Sequence, residues 1–202
     1  MRSIGRTSFS ISDSRRKSLI VLTAFSMLGI ILGTVIVLME NDLKRLFMLR
    51  VTQNMIKGVS ELSFIKQLMR TFLPVALILI IQFFSGYFAF GQPFAVMTVT
   101  ARGAACGMAA ALTYLSMGIK GIFTVMFMIL PFSLMSIAIV ILGAREASGM
   151  AWKIARFSFF REEQASPERK LYLIKFAVLL IFSVIISLFD TVMYSILGDI
   201  LG

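Results

Sequence analysis

The chain has 202 residues, 58% of them apolar and 15% charged, whereas a soluble domain carries about 45–50% apolar and about 25% charged residues; the composition points to lipid as solvent and to a single membrane domain. Twenty basic residues stand against ten acidic ones, a formal net charge of +10, but they flank apolar blocks, which assigns them to headgroups and topology rather than to nucleic acid. The lack of histidine and the lone Cys106 exclude a Ser-His relay, a zinc-histidine site and an internal disulfide framework.

The first apolar block covers residues 18–39 behind Arg2, Arg6, Arg15, Arg16 and Lys17. It exceeds the ~7–15 residues of a signal-peptide core and lacks a small-residue cleavage site before Glu40, so it reads as a retained span. Residues 41–70 differ in kind. Leu43, Phe47, Met55, Val59, Leu62 and Ile65 recur at helical steps among Lys44, Arg45, Arg50, Lys57, Glu61 and Lys66, the pattern of one or two amphipathic helices lying on the membrane or over the bundle.

Further spans are expected at 71–90, 94–117, 121–143 and 171–197, each close to the ~20 apolar residues that cross a hydrocarbon core. Gly91, Gln92 and Pro93 are expected to form the tight turn between the second and third spans, and Gly118, Ile119 and Lys120 the hairpin between the third and fourth. Residues 144–160, with Trp152, Phe157, Phe159 and Phe160 among Lys153, Arg156 and Arg161 close by, suit a second interfacial helix, and a polar linker with Pro167 leads to the last span. The expected fold is thus an all-α, five-span membrane bundle with amphipathic segments at 41–70 and 144–160. With the N-terminus inside, segments 1–17 and 144–170 hold eleven basic residues, against seven in 40–70 and 118–120; the positive-inside rule then places the N-terminus in the cytoplasm and the C-terminus outside.

Inside the apolar blocks two charges stand out. Arg102 lies well within the third block, where a charge costs at least ~2.5–3.5 kcal/mol on insertion scales; it either contacts a partner, headgroup or carboxylate, or snorkels toward the cytoplasmic face. A third option makes residues 94–101 a re-entrant leg. Asp190 is the acidic residue deepest in an apolar block, and its pairing with Arg102 is conceivable although the assumed spans set the two at different depths. Gly103 and Gly107, and Gly29 with Gly33, are spaced by four residues, which lets helix backbones approach closely. Pro131 falls mid-block and is expected to kink the fourth span. One intramembrane carboxylate does not make an aspartyl dyad, and no phosphate-binding Gly-rich loop ending in Lys-Ser/Thr occurs. The residues therefore give no catalytic, cofactor or metal set.

The run FFSGYFAFGQPFAVMTVTARGAACGMAAALTYLSMGIKGIFTVMFMILPFSLMSIAIVILGARE resembles the central part of the stage II sporulation protein M family. The likeness rests on the Gly-x-Pro cluster at Gly91 and Pro93, on Arg102-Gly103 with Gly107 four residues later, on Gly118 and Gly121, and on the Leu130-Pro131 pair. It covers residues 43–146; the basic linker at 161–170 departs from it. The resemblance implies a five-span cytoplasmic-membrane protein needed for engulfment in endospore-forming bacteria. There it would anchor the cell-wall hydrolases stage II sporulation proteins D, a lytic transglycosylase, and P, an amidase.

A non-enzymatic scaffold for peptidoglycan remodelling is the function expected. The alternative is a permease or channel subunit, acting as an oligomer or with an ATPase partner, with Arg102 on an anion path and Pro131 at a hinge.

Overall fold

In lipid every backbone polar group must be bonded internally, so a chain of this composition has helices as its economical solution. The computed structural model describes residues 4–39, 64–160 and 169–201, and there the protein is all helix and turn. Helix α1 runs Ile4–Met39, α2 Phe64–Ser85, α3 Gly91–Met117, the short α4 Ile119–Thr124, α5 Leu130–Phe160 and α6 Arg169–Leu201, with a π-helical turn, Val125–Ile129, between α4 and α5. Among the described residues five helices are long and apolar enough to cross a membrane: Arg16–Met39, Phe64–Ser85, Gly91–Met117, Leu130–Ser158 and Arg169–Met193. This is the architecture of a multi-pass membrane protein. Residues 94–101 belong to the unbroken α3 and form no re-entrant leg.

Several boundaries depart from the sequence reading. The reversal between α2 and α3 lies at residues 86–90, where Gly86 N–H donates to Gln82 O (3.1 Å) and Phe88 N–H to Ser85 O (3.1 Å). Gly91 and Pro93 are instead in the first turn of α3. Proline fits there because the first amides of a helix have no intrahelical acceptor, and a missing N–H costs nothing. Gly91 is required at its place, since a Cβ would strike the Ser85 carbonyl across the turn. Residues 64–70 of the first amphipathic segment continue directly into the second span as α2; residues 41–63 lie outside the described residues, as do 161–168 of the linker. Residues 144–160 are the second half of α5, not a separate interfacial helix: Ala144, Ala147, Met150 and Ala151 are buried in the bundle. Small alanines two turns apart let α5 stay against its neighbours beyond the block that hydropathy alone marks out.

Pro131 lies at the start of α5, and the π turn immediately before it is the local adjustment. Leu130 N–H donates to Val125 O, five residues back, so the ladder is reset by one residue just where proline cannot donate to it. Glycine marks the preceding corner. Gly118 has φ +58°, the left-handed region, and ends α3 with its N–H on Tyr114 O at 2.8 Å.

The helices are arranged around α5. Half of its span window (50%) is buried inside the bundle, against 22–28% for the other four, and it packs on α1, α2, α3 and α6. On one side α1 and α3 share the largest interface; on the other α2 lies on α6. The core takes Val140, Ala144 and Ala147 from α5, Leu79 from α2, Val99 from α3 and Phe176 from α6. The outer faces stay apolar: Ile20, Met97, Phe123, Ile181 and Phe182 are each exposed, as lipid-facing residues should be when the solvent is hydrocarbon.

Candidate functional site

Since lipid tails are as apolar as leucine, helices in a bilayer associate by close packing and polar contacts rather than by the hydrophobic effect. The α1–α3 seam shows the first of these. A Cβ on Gly29 would collide with the Thr100 carbonyl and one on Gly33 with the Ala104 carbonyl; reciprocally, one on Gly103 would strike the Ser26 carbonyl and one on Gly107 the Ile30 carbonyl. Residue numbers rise together along the seam, so the two helices are parallel. Their backbones touch through glycine from both sides, and Thr34, whose hydroxyl donates to Ile30 O, lies 3.5 Å from Gly107 O.

Polar contacts hold the middle of the bundle. Arg102 is eleven residues past the first residue of α3, or ~16 Å along a helix axis. Its guanidinium does not run along the helix toward headgroups; it crosses to α5, where Nε and Nη2 donate to Ser136 Oγ at 3.1 and 2.7 Å. Ser136, fully buried, donates in turn to Ser133 O at 3.0 Å. The Phe132 ring lies 5.8 Å from the guanidinium carbon, a cation–π contact. Asp190, on α6, is near enough for its charge to act on Arg102. The two are not in direct contact, because no ion pair within 4.0 Å joins them. Arginine has five N–H donors, and the two bonds to one hydroxyl leave part of that capacity unused.

A second polar node was not singled out in the sequence. Gln82, in the apolar second half of α2, is fully buried and donates through Nε2 to Thr98 Oγ1 (2.9 Å) and Val140 O (3.1 Å), tying α2 to α3 and α5. Its Oε1 has no partner among the described residues and faces Gly143, where a Cβ would meet it. At the next residue of α2, Tyr172 of α6 donates to Phe83 O at 2.9 Å and stacks on the Phe83 ring with centroids 5.3 Å apart. Phe176 and Tyr87 complete the aromatic cluster. A single glutamine in an apolar block was the available signal; the tyrosine had none.

Between the second half of α5 and the start of α6, Glu146 bridges two cations. Its Oε1 accepts from Arg145 and its Oε2 from Lys175, each at 2.6 Å. These residues line a cavity of about 210 Å³ together with Gly149, Met150, Lys153, Leu171 and Tyr172. The described residues contain no group of three or more His, Cys, Asp or Glu side chains able to hold a metal ion. Searches with protein-family models, among curated proteins and among solved structures find no match to this chain.

Proposed function

We propose that this chain is a non-enzymatic membrane scaffold, positioned in the cytoplasmic membrane with its N-terminus inside and its C-terminus outside. The observation that carries the reading is the glycine seam. Two parallel spans in mutual backbone contact form a stiff unit, since a shift of either helix by part of a turn would drive side chains into the facing carbonyls. A stiff, lipid-facing bundle suits a part that holds others in place. The sequence resemblance to the stage II sporulation protein M family supplies the partner class: peptidoglycan hydrolases, an amidase and a lytic transglycosylase, brought to the septum during engulfment. Affinity capture from membranes of cells that express such hydrolases tests this directly. Recovery of either enzyme supports the scaffold, and repeated recovery of neither counts against it. In a spore-forming host, a deletion strain that completes engulfment normally removes the sporulation role.

Arg102 favours a second reading, a permease or channel subunit. An ionisable group at mid-depth, with donors left over and a carboxylate on a neighbouring helix, is the usual mark of an ion or substrate path. Reconstitution into liposomes separates the two: solute flux that Arg102→Ala abolishes favours transport, whereas silence with both proteins favours the scaffold.

A further inference from the structure

We propose that the cavity between the second half of α5 and the start of α6 is a binding site for a phosphate group, carried by an anionic lipid headgroup or free in solution. Three cations, Arg145, Lys153 and Lys175, and one carboxylate, Glu146, line it, so the lining is positive by two charges. Glu146 does not cancel the site; it builds it. By holding Arg145 with one oxygen and Lys175 with the other, it fixes two cations that would otherwise repel each other. Each keeps unused N–H donors, because a guanidinium has five and an ammonium three. Lys153, exposed and without a hydrogen bond or ion pair to any described residue, supplies a third donor.

The site has room as well as charge. A Cβ added at Gly149 meets no atom within 4 Å, in contrast to the glycines of the α1–α3 seam, so this glycine borders open space. Its depth suits a headgroup. Tyr172 and Ala147 lie beside Gly86 at the α2–α3 turn, where the chain reverses, and the half-exposed Trp152 lies on the next turn of α5, at the level where aromatic residues anchor spans. The same end of the bundle carries Arg16 and Lys17 of α1 and Arg156 of α5. With the N-terminus inside, as proposed above, this end is cytoplasmic; basic pockets between spans on that side are suited to anionic headgroups, and the cytoplasmic leaflet is the anionic one.

The full chain, purified and delipidated in a neutral detergent, provides the test. Its melting temperature is followed while phosphatidylglycerol, phosphatidylcholine or inorganic phosphate is added. Phosphatidylglycerol is expected to raise the melting temperature in a saturable way and phosphatidylcholine to leave it unchanged. Lys153→Glu should weaken the response about tenfold, and Lys153→Arg should keep it. Gly149→Leu, which fills the cavity without touching a charge, should abolish the response while the protein still folds, since leucine is the better helix former. Lys66→Glu, an equal change of net charge at the opposite end, should respond as the parent does. A response to inorganic phosphate matching that to phosphatidylglycerol assigns the site to free phosphate; a response to the lipid alone assigns it to a headgroup. No response to either, or a response that survives both Lys153→Glu and Gly149→Leu or is lost equally in Lys66→Glu, overturns the proposal.

Discussion

The α1–α3 seam and the α5–α6 corner solve the same problem, joining two helices in a medium without a hydrophobic drive, by opposite means. At the seam the solution is removal: glycine at 29, 33, 103 and 107 deletes every side chain that would hold the backbones apart, and the contact is made by carbonyls and Cα atoms. At the corner the solution is addition: Glu146 of α5 links Arg145 to Lys175 of α6, and Tyr172 and Phe176 of α6 pack their rings on Phe83 of α2. A seam of backbone contact has no slack and tolerates no growth. A corner of long side chains has slack, some exposure and room for a ligand. Rigidity and binding are thereby assigned to different parts of one small bundle.

The largest expected break in that comparison is Gly33→Leu. With no space beyond the Ala104 carbonyl, the helices must part, and we expect a loss of about 3 kcal/mol or more, seen as a collapsed yield of folded protein or a steep fall in melting temperature in micelles. A parent-like melt would show that the seam is not close-packed. At the corner, Tyr172→Phe keeps the ring and removes the hydroxyl bonded to Phe83 O; denaturant titration should register about 1 kcal/mol. Gly149→Ala runs the other way: with open space around it, it should stabilise by about 0.5–1 kcal/mol through helix propensity, the opposite sign from a seam glycine in the same assay. The smallest effect belongs to Glu146→Gln. The Lys175 side chain is 41% exposed, so screening leaves the pair worth under about 1 kcal/mol, and the difference from the parent should shrink as salt is raised from low to physiological strength.

Much of this was legible in the chain itself. Five long apolar blocks dictate spanning helices because lipid offers backbone groups no other partner. Where the reading slipped, the cause was local. The cluster Gly91, Gln92, Pro93 looks like a turn by residue type, yet the first turn of a helix accepts the same residues for its own reason, and the reversal falls at 86–90, where Gly86 is followed by the run YFAF and hydropathy gives no break. Residues 144–160 look interfacial because they are charged, but Ala144, Ala147 and Ala151 form a buried edge that hydropathy averages away. Pro131 announces an irregularity without saying that it takes the form of a π turn.

Sequence alone determined the solvent, the number of spans and the positions where backbones can meet, since each depends on residue type and spacing along one helix. Partners across the bundle were decided by the tertiary structure: that the glycines of α1 face those of α3, that Arg102 turns to Ser136, that Gln82 ties three helices, and that Glu146, in one block, gathers Lys175 from another. Such pairings depend on which faces of separate helices are turned together and at what depth. Apolar residues in lipid leave rotation about a helix axis nearly free in energy, so only the packed bundle fixes it.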